Sequence, residues 1–139
     1  MPRKLLIVED NQDNRELAIK VLKNKGYEII EAVDGEEAIE KAISEKPDLI
    51  LLDISLPKLD GYEVAKRLKS MEEFQEIPIV AFTAHAMKGD REKVIAGGFE
   101  GYISKPINVR EFPDQIRAYL RGKRESFLGG EEKQDIDRG

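Results

Sequence analysis

At 139 residues and 40% hydrophobic, the chain is sized for one ordinary core, expected over residues 1–122 with a charged tail at 123–139. Its net charge of -5, with Lys and Arg spread along the chain and no basic arm, argues against direct nucleic-acid binding. The absence of cysteine excludes disulfides and thiolate metal sites, and the apolar runs are far too short to span a membrane.

In chain order, a continuous apolar strand over Lys4–Val8 runs directly into Glu9 and Asp10, which leaves no room for a signal peptide and suggests a cytoplasmic protein. The pairs Ala18/Leu22 and Leu17/Val21 predict a helix over 12–25, ended by Gly26. Glu28–Ala32 reads as a more polar strand, placed toward an edge. Asp34 with Glu37 is an acidic variant of the capping box, opening a helix over 35–44 with Ala38/Ala42 and Ile39/Ile43 on one face. Leu49–Asp53 is again continuous and apolar and closes on a carboxylate. Asp60 with Glu63 opens the next helix, 62–70, with Val64 and Leu68 inward. A strand over 77–82 ends at Thr83, and a helix over Lys88–Ala96 stops at Gly97-Gly98. Gly101–Ser104 is the fifth strand and leads into Lys105-Pro106. Asn108 with Glu111 opens a last helix over 109–121, with Gly122 as its end. Pro113 lies about five residues inside that helix and predicts a tight or kinked first turn followed by regular helix. Beyond Lys123 the chain is dominated by charge and reads as a mobile tail in which Ser126-Phe127-Leu128 could dock. No output domain is expected after residue 121.

Strict alternation of strand and helix implies an open parallel sheet with helices on both faces. Three of the strands are apolar throughout, as covered strands are. In such a sheet the strand C-termini share one edge, and ligands bind there. Glu9, Asp10, Asp53, Thr83 and Lys105 would then converge. Three carboxylates repel one another unless a cation joins them, and an oxygen-only donor set suits Mg²⁺ or Mn²⁺ better than Zn²⁺. Lys105 is a point charge suited to phosphate, Thr83 a hydroxyl donor, and Ala84 is small enough to leave the approach open. Alignment and charge neutralisation are the main requirements of phosphoryl transfer, and a carboxylate is a competent covalent acceptor.

These residues carry a resemblance. Residues 5–10 (LLIVED), 48–53 (DLILLD), Leu56-Pro57 with Asp60-Gly61, 79–84 (IVAFTA) and 102–106 (YISKP) resemble the receiver domains of two-component response regulators over about residues 3–121. The stretch 84–90 (AHAMKGD) with Gly97-Gly98 is similar to stand-alone receivers of the DivK type. The resemblance implies a doubly wound (βα)5 flavodoxin-like sandwich, an α/β fold with a five-stranded parallel sheet in the order 2-1-3-4-5. It implies Asp53 as the phosphoacceptor, and Asp10, Asp53 and the backbone carbonyl of Ser55 as direct metal ligands, with Glu9 bound through water. Lys105 would neutralise the phosphoryl group, Thr83 would swing to hydrogen-bond it, and Tyr102 would turn inward as Thr83 moves. The Lys105–Pro106 bond would be cis. The donor would be a histidine kinase or a histidine phosphotransfer protein, and output would come from binding a downstream protein.

Taken singly, each residue has an ordinary alternative. Asp53 could be a solvated strand end, Glu9 or Asp10 a helix cap, Lys105 surface charge, and Thr83 a loop hydroxyl. His85, the only histidine, and Ser55 are placed at the rim, where they would bear on water access; Met87 and Phe99 read as packing residues or part of a contact face. Two other functions stay open. One is a Mg²⁺-dependent phosphohydrolase of the haloacid-dehalogenase kind, although such sites want a second Asp where Ser55 stands. The other is a phosphorylation-independent pseudo-receiver. A nucleotide-binding protein is disfavoured because the loop after the first strand has no glycine-rich cradle.

Overall fold

The computed structural model describes residues 2–84 and 88–129, with the backbone alone for 88–90 and 122–129. The order is β1 (Lys4–Val8), α1 (Gln12–Lys23), β2 (Glu28–Ala32), α2 (Gly35–Glu45), β3 (Leu49–Asp53), α3 (Gly61–Lys69), a 3-10 turn (Glu72–Phe74), β4 (Ile79–Thr83), α4 (Lys88–Ala96), β5 (Gly101–Ser104) and α5 (Phe112–Gly129). The five strands are all parallel in the order β2-β1-β3-β4-β5, as expected.

Because side chains alternate along a strand, the continuous apolar runs of β1 and β3 feed two separate cores. Leu6, Val8, Ile50 and Leu52 pack with Ala38 and Ala42 of α2, Val64 and Leu68 of α3, and Val94 of α4. Leu5, Ile7, Leu49 and Leu51 pack on the other face with Ala18 and Leu22 of α1 and with Phe112 and Ile116 of α5. All eight of these strand side chains are 0% exposed, so each contributes the full burial of an aliphatic group, roughly 1.5–3 kcal/mol. The chain steps from β1 outward to β2 and then back past β1 to β3, β4 and β5. Right-handed crossovers therefore put α1 on one face and α2, α3 and α4 on the other, and the reversal lies between β1 and β3. Edge strand β2 carries exposed Glu28 and Glu31, which discourage pairing with another chain.

The helix starts follow the capping residues. Asn11 Oδ1 accepts from Asn14 N–H at 2.9 Å, Asp34 Oδ1 from Glu37 N–H at 2.8 Å, and Asp60 Oδ1 from Glu63 N–H at 3.0 Å. Glu37 accepts in turn from Val33 N–H, one residue ahead of the cap, at 2.8 Å. Helix ends are less regular. Gly26 and Gly98 adopt φ of 89° and 98° as left-handed stops, but α2 stops at Lys46 with φ 51°, a residue that carries no such signal.

The last helix departs from expectation at both ends. It begins at Phe112 rather than at residue 109, so Pro113 sits in its first turn, where a missing N–H has no intrahelical acceptor to lose. Ahead of it Asn108 closes a tight turn, its carbonyl accepting from Glu111 and Phe112 N–H at 3.0 and 2.8 Å. The helix then passes through Gly122 and reaches Gly129, beyond the expected end at residue 121. A lone glycine lowers helix stability by about 1 kcal/mol relative to alanine and does not by itself stop one. Residues 130–139 of the charged tail lie outside the described residues.

Between α3 and β4 the backbone turns through bonds such as Phe74 N–H to Met71 O at 3.0 Å and Ile77 N–H to Phe74 O at 3.2 Å. Lys69 Nζ donates to three carbonyls there, those of Phe74 (3.2 Å), Gln75 (3.2 Å) and Ile77 (2.7 Å).

Candidate functional site

The sheet places Glu9, Asp53, Thr83 and Lys105 just at or beyond the C-terminal ends of β1, β3, β4 and β5. Parallel pairing sets their heights: Val8 opposes Leu52, Asp53 opposes Phe82, and Thr83 opposes Ser104. The Lys105 N–H donates to the Thr83 carbonyl at 2.8 Å, extending the β4–β5 ladder by one step. The Lys105–Pro106 bond is cis. The five residues singled out from the sequence thus gather at one edge, beside the reversal in strand order.

Within this group burial is unequal. Glu9 is 1% exposed, Asp53 3% and Thr83 6%, whereas Asp10 is open to solvent. Lys105 Nζ lies 2.8 Å from Glu9 Oε1 and 3.2 Å from Asp53 Oδ2, bridging both buried carboxylates. The other oxygen of each carboxylate accepts a backbone N–H two residues on. Asn11 N–H donates to Glu9 Oε2 at 3.0 Å, and Ser55 N–H to Asp53 Oδ1 at 2.9 Å. The Glu9 backbone is held as well: its N–H donates to Ala32 O at 3.1 Å and its carbonyl accepts from Arg15 Nη1 at 2.9 Å.

The electrostatics follow from this crowding. Burial pushes the Glu9 carboxyl above the ordinary value, against the lowering hydrogen bonds from Lys105 and the Asn11 N–H; the Asp53 charge adds to the rise. For Lys105, burial is the largest single influence and works downward. The hydrogen bond to Glu9 and the negative charges of Asp53 and Glu9 together outweigh it and hold the ammonium above its usual range. Lys105 Nζ also sits 5.2 Å from the centre of the Phe82 ring, which stacks on Phe112 at 6.3 Å.

One carboxylate oxygen from each of Glu9, Asp10 and Asp53 can lie within 4.8 Å of the others. Three hard oxygen donors, one of them on the solvent side, fit a cation that keeps several waters, as Mg²⁺ does. The donors' mutual repulsion is relieved here only in part by one lysine.

Strand β3 is also fixed from below. A Cβ on Gly61, the first residue of α3, would come within 2.6 Å of the Asp53 carbonyl oxygen and 2.7 Å of Ile54 Cα. The start of α3 therefore rests directly on the backbone that carries Asp53, and its Gly61 N–H donates to Ile54 O at 2.9 Å.

Tyr102 is half-buried on β5, against the face covered by α2, α3 and α4. It lines a groove of about 660 Å³ with Arg91, Ile95, Gly101 and Tyr119, between α4 and α5. Phe99 is 3% exposed and belongs to the core, as expected of a packing residue. His85 and Met87 lie outside the described residues. Two residues were not legible as part of the site. Phe82 lies within a continuous apolar run, and Arg15 lies one turn into α1, its place five residues after Asp10 being the available signal.

Residues 5–117 match the model of the family described as the response regulator receiver domain. The chain is 48% identical over 120 residues to the polar-differentiation response regulator DivK of Brucella anthropi, covering 86% of this chain and 98% of that one. Among solved structures it is similar to a putative response regulator from Chloroflexus aurantiacus (31% identity, TM-score 0.82, 86% and 98% covered). It is also similar to the receiver domain of the sensor histidine kinase PA1611 from Pseudomonas aeruginosa, solved with a magnesium ion coordinated in its active-site cleft (32% identity, TM-score 0.79, 86% and 98% covered).

Proposed function

We propose, given that this chain belongs to the response regulator receiver domain family, that it accepts a phosphoryl group on Asp53 and signals by binding another protein. The observation that carries the proposal is the convergence of Glu9, Asp10, Asp53 and Lys105 at one edge of the sheet, with Lys105 Nζ 3.2 Å from Asp53 Oδ2. The donor is a phosphohistidine on a histidine kinase or phosphotransfer protein. An Asp53 carboxylate oxygen attacks phosphorus, the bond from phosphorus to the donor imidazole breaks, and its electron pair stays on the imidazole nitrogen. A bound Mg²⁺ or Mn²⁺ supplies charge neutralisation at the phosphoryl oxygens and between the carboxylates.

This chain's own residues do the rest. Asp10, Asp53 and the Ser55 carbonyl would hold the cation directly, with Glu9 as its indirect ligand. Lys105, bridging Glu9 and Asp53 at rest, turns to the incoming phosphoryl oxygens. Thr83 hydrogen-bonds the transferred group and Tyr102 moves inward with it, changing the face formed by α4, β5 and α5 that the downstream protein reads. The protein works in the cytoplasm, takes part only in its own phosphorylation and dephosphorylation, and turns over no metabolite.

The test is incubation of wild type and Asp53→Asn with acetyl phosphate, with and without Mg²⁺, read by intact mass and by peptide mapping of the modified site. A single added phosphoryl group that needs the metal and disappears in the variant is the expected result. Modification elsewhere, or none, refutes the assignment. Steady release of phosphate from small phosphomonoesters over many turnovers would instead make the chain a phosphohydrolase.

A further inference from the structure

We infer that Arg15 is a positioning residue for the cation site, fixing the peptide that joins Glu9 to Asp10. This deepens the receiver reading and rests on it. Arg15 Nη1 donates to the Glu9 carbonyl at 2.9 Å, and that carbonyl belongs to the Glu9–Asp10 peptide. On the other side of Glu9, its N–H is tied to Ala32 O at 3.1 Å. The backbone is therefore gripped before and after the Glu9 Cα. Rotation of the Glu9–Asp10 peptide would swing the Asp10 carboxylate and also withdraw the Asn11 N–H from Glu9 Oε2, where it sits at 3.0 Å.

The guanidinium is itself held in place. Its Nε pairs with Glu31 Oε1 of β2 at 3.1 Å, and the side chain is only 14% exposed. Asn11, as cap of α1, fixes the start of the helix, and Arg15 N–H closes the first turn onto the Asn11 carbonyl at 3.0 Å. Asp10, by contrast, is the exposed member of the three carboxylates. A planar fork can hold a carbonyl and a carboxylate at once, which a lysine cannot do with the same geometry. Groups that orient metal ligands in this way typically change metal affinity by 10- to 100-fold when removed.

The sign of the effect separates positioning from simple charge. Arg15 is a cation near a cation site, so deleting its charge alone should tighten Mg²⁺ binding. Losing its grip on the peptide should weaken it. The experiment compares wild type, Arg15→Met, Arg15→Lys and Glu31→Gln, each first checked for a native circular dichroism spectrum. Mg²⁺ affinity is measured by calorimetry, and exchange of the Asn11 amide is followed by NMR without metal. Arg15→Met is expected to weaken Mg²⁺ binding about tenfold and to speed Asn11 exchange. Arg15→Lys should fall between Arg15→Met and wild type. Glu31→Gln, which removes the charge of the tie between α1 and β2 but keeps an oxygen to accept from Arg15 Nε, should change affinity far less than Arg15→Met. Equal or tighter Mg²⁺ binding by Arg15→Met, or Glu31→Gln matching its loss, overturns the inference while the receiver reading stands. A wild-type protein that takes up no Mg²⁺ overturns both.

Discussion

Replacing Lys105 with methionine keeps most of the side-chain length and removes the charge that bridges Glu9 and Asp53. At contact distances of 2.8 and 3.2 Å, and an effective dielectric constant of about 20, each ion pair is worth roughly 5–6 kcal/mol before desolvation is counted. Burying the three groups cancels much of that. What the substitution exposes is the remainder: two carboxylates, 1% and 3% exposed, facing each other without a counter-ion. Stripping one partner from such a buried arrangement costs about 3–5 kcal/mol, a large share of the roughly 5–15 kcal/mol that holds a domain together. Lys105→Met should therefore unfold at a clearly lower urea concentration than wild type in EDTA, with the slope of the transition unchanged.

Two conditions should narrow the deficit. On the proposed function magnesium would bind the same carboxylates and no longer compete with the ammonium, so the variant should gain more from it than wild type. At a hundredfold excess over the dissociation constant the gain is about 2.7 kcal/mol. Acid should help as well. The Glu9 carboxyl already lies above its unfolded value, so the native state binds that proton more tightly than the unfolded state. Its contribution is present at low pH and is lost as pH rises through the folded-state value. Without Lys105 the shift grows, and the variant should recover stability as the solution is acidified from neutrality. Urea titrations followed by far-ultraviolet circular dichroism, with EDTA or Mg²⁺ and at several pH values, decide the matter. A loss below about 1 kcal/mol in EDTA, the scale of an exposed ion pair, would refute the idea that the lysine compensates buried charge. So would equal magnesium gains in the two proteins.

Two further outcomes follow from the same geometry. Gly61→Ala should destabilise the fold by about 1–3 kcal/mol and weaken Mg²⁺ binding, because the new methyl must displace the Asp53–Ile54 backbone; a neutral urea midpoint would show that α3 can simply retreat. Asp34 caps α2 and its carboxyl is lowered by the Glu37 N–H, with the Lys58 ammonium at 3.4 Å adding to the effect. Its contribution is present above the unfolded value of 3.8 and fades as pH falls through the lower folded value, so wild type should lose stability relative to Asp34→Asn in acid, and parallel pH profiles would contradict this.

The fold was legible because burial on both faces leaves a mark that needs no neighbours to read. β1 and β3 are continuous aliphatic runs, and their bounds match the sequence reading residue for residue. β4 starts at Ile79 rather than at residue 77 because Pro78 has no N–H to offer the ladder and Ile77 N–H is already spent on Phe74 O at 3.2 Å. The 3-10 turn that buries Phe74 was missed for a related reason: two glutamates precede the aromatic, and only tertiary contact makes it core. The site was legible as a set of residue types at strand ends, since any parallel sheet brings those ends together. Its internal pairing was not. Nothing in the order of residues says that Lys105 rests on Glu9, 96 positions away, nor that Arg15 reaches back to a carbonyl.

The connection from α3 to β4 closes on the single ammonium of Lys69, shared by the carbonyls of Phe74, Gln75 and Ile77. A turn stapled by one point charge has a fixed arc. An extra residue would carry at least one of the three oxygens out of reach, and a missing one would pull β4 off its register. This stretch of surface is thus an unsuitable place to graft a tag or an epitope, even though it looks like an ordinary exposed loop, and relatives whose loop differs in length should have lost the lysine with it.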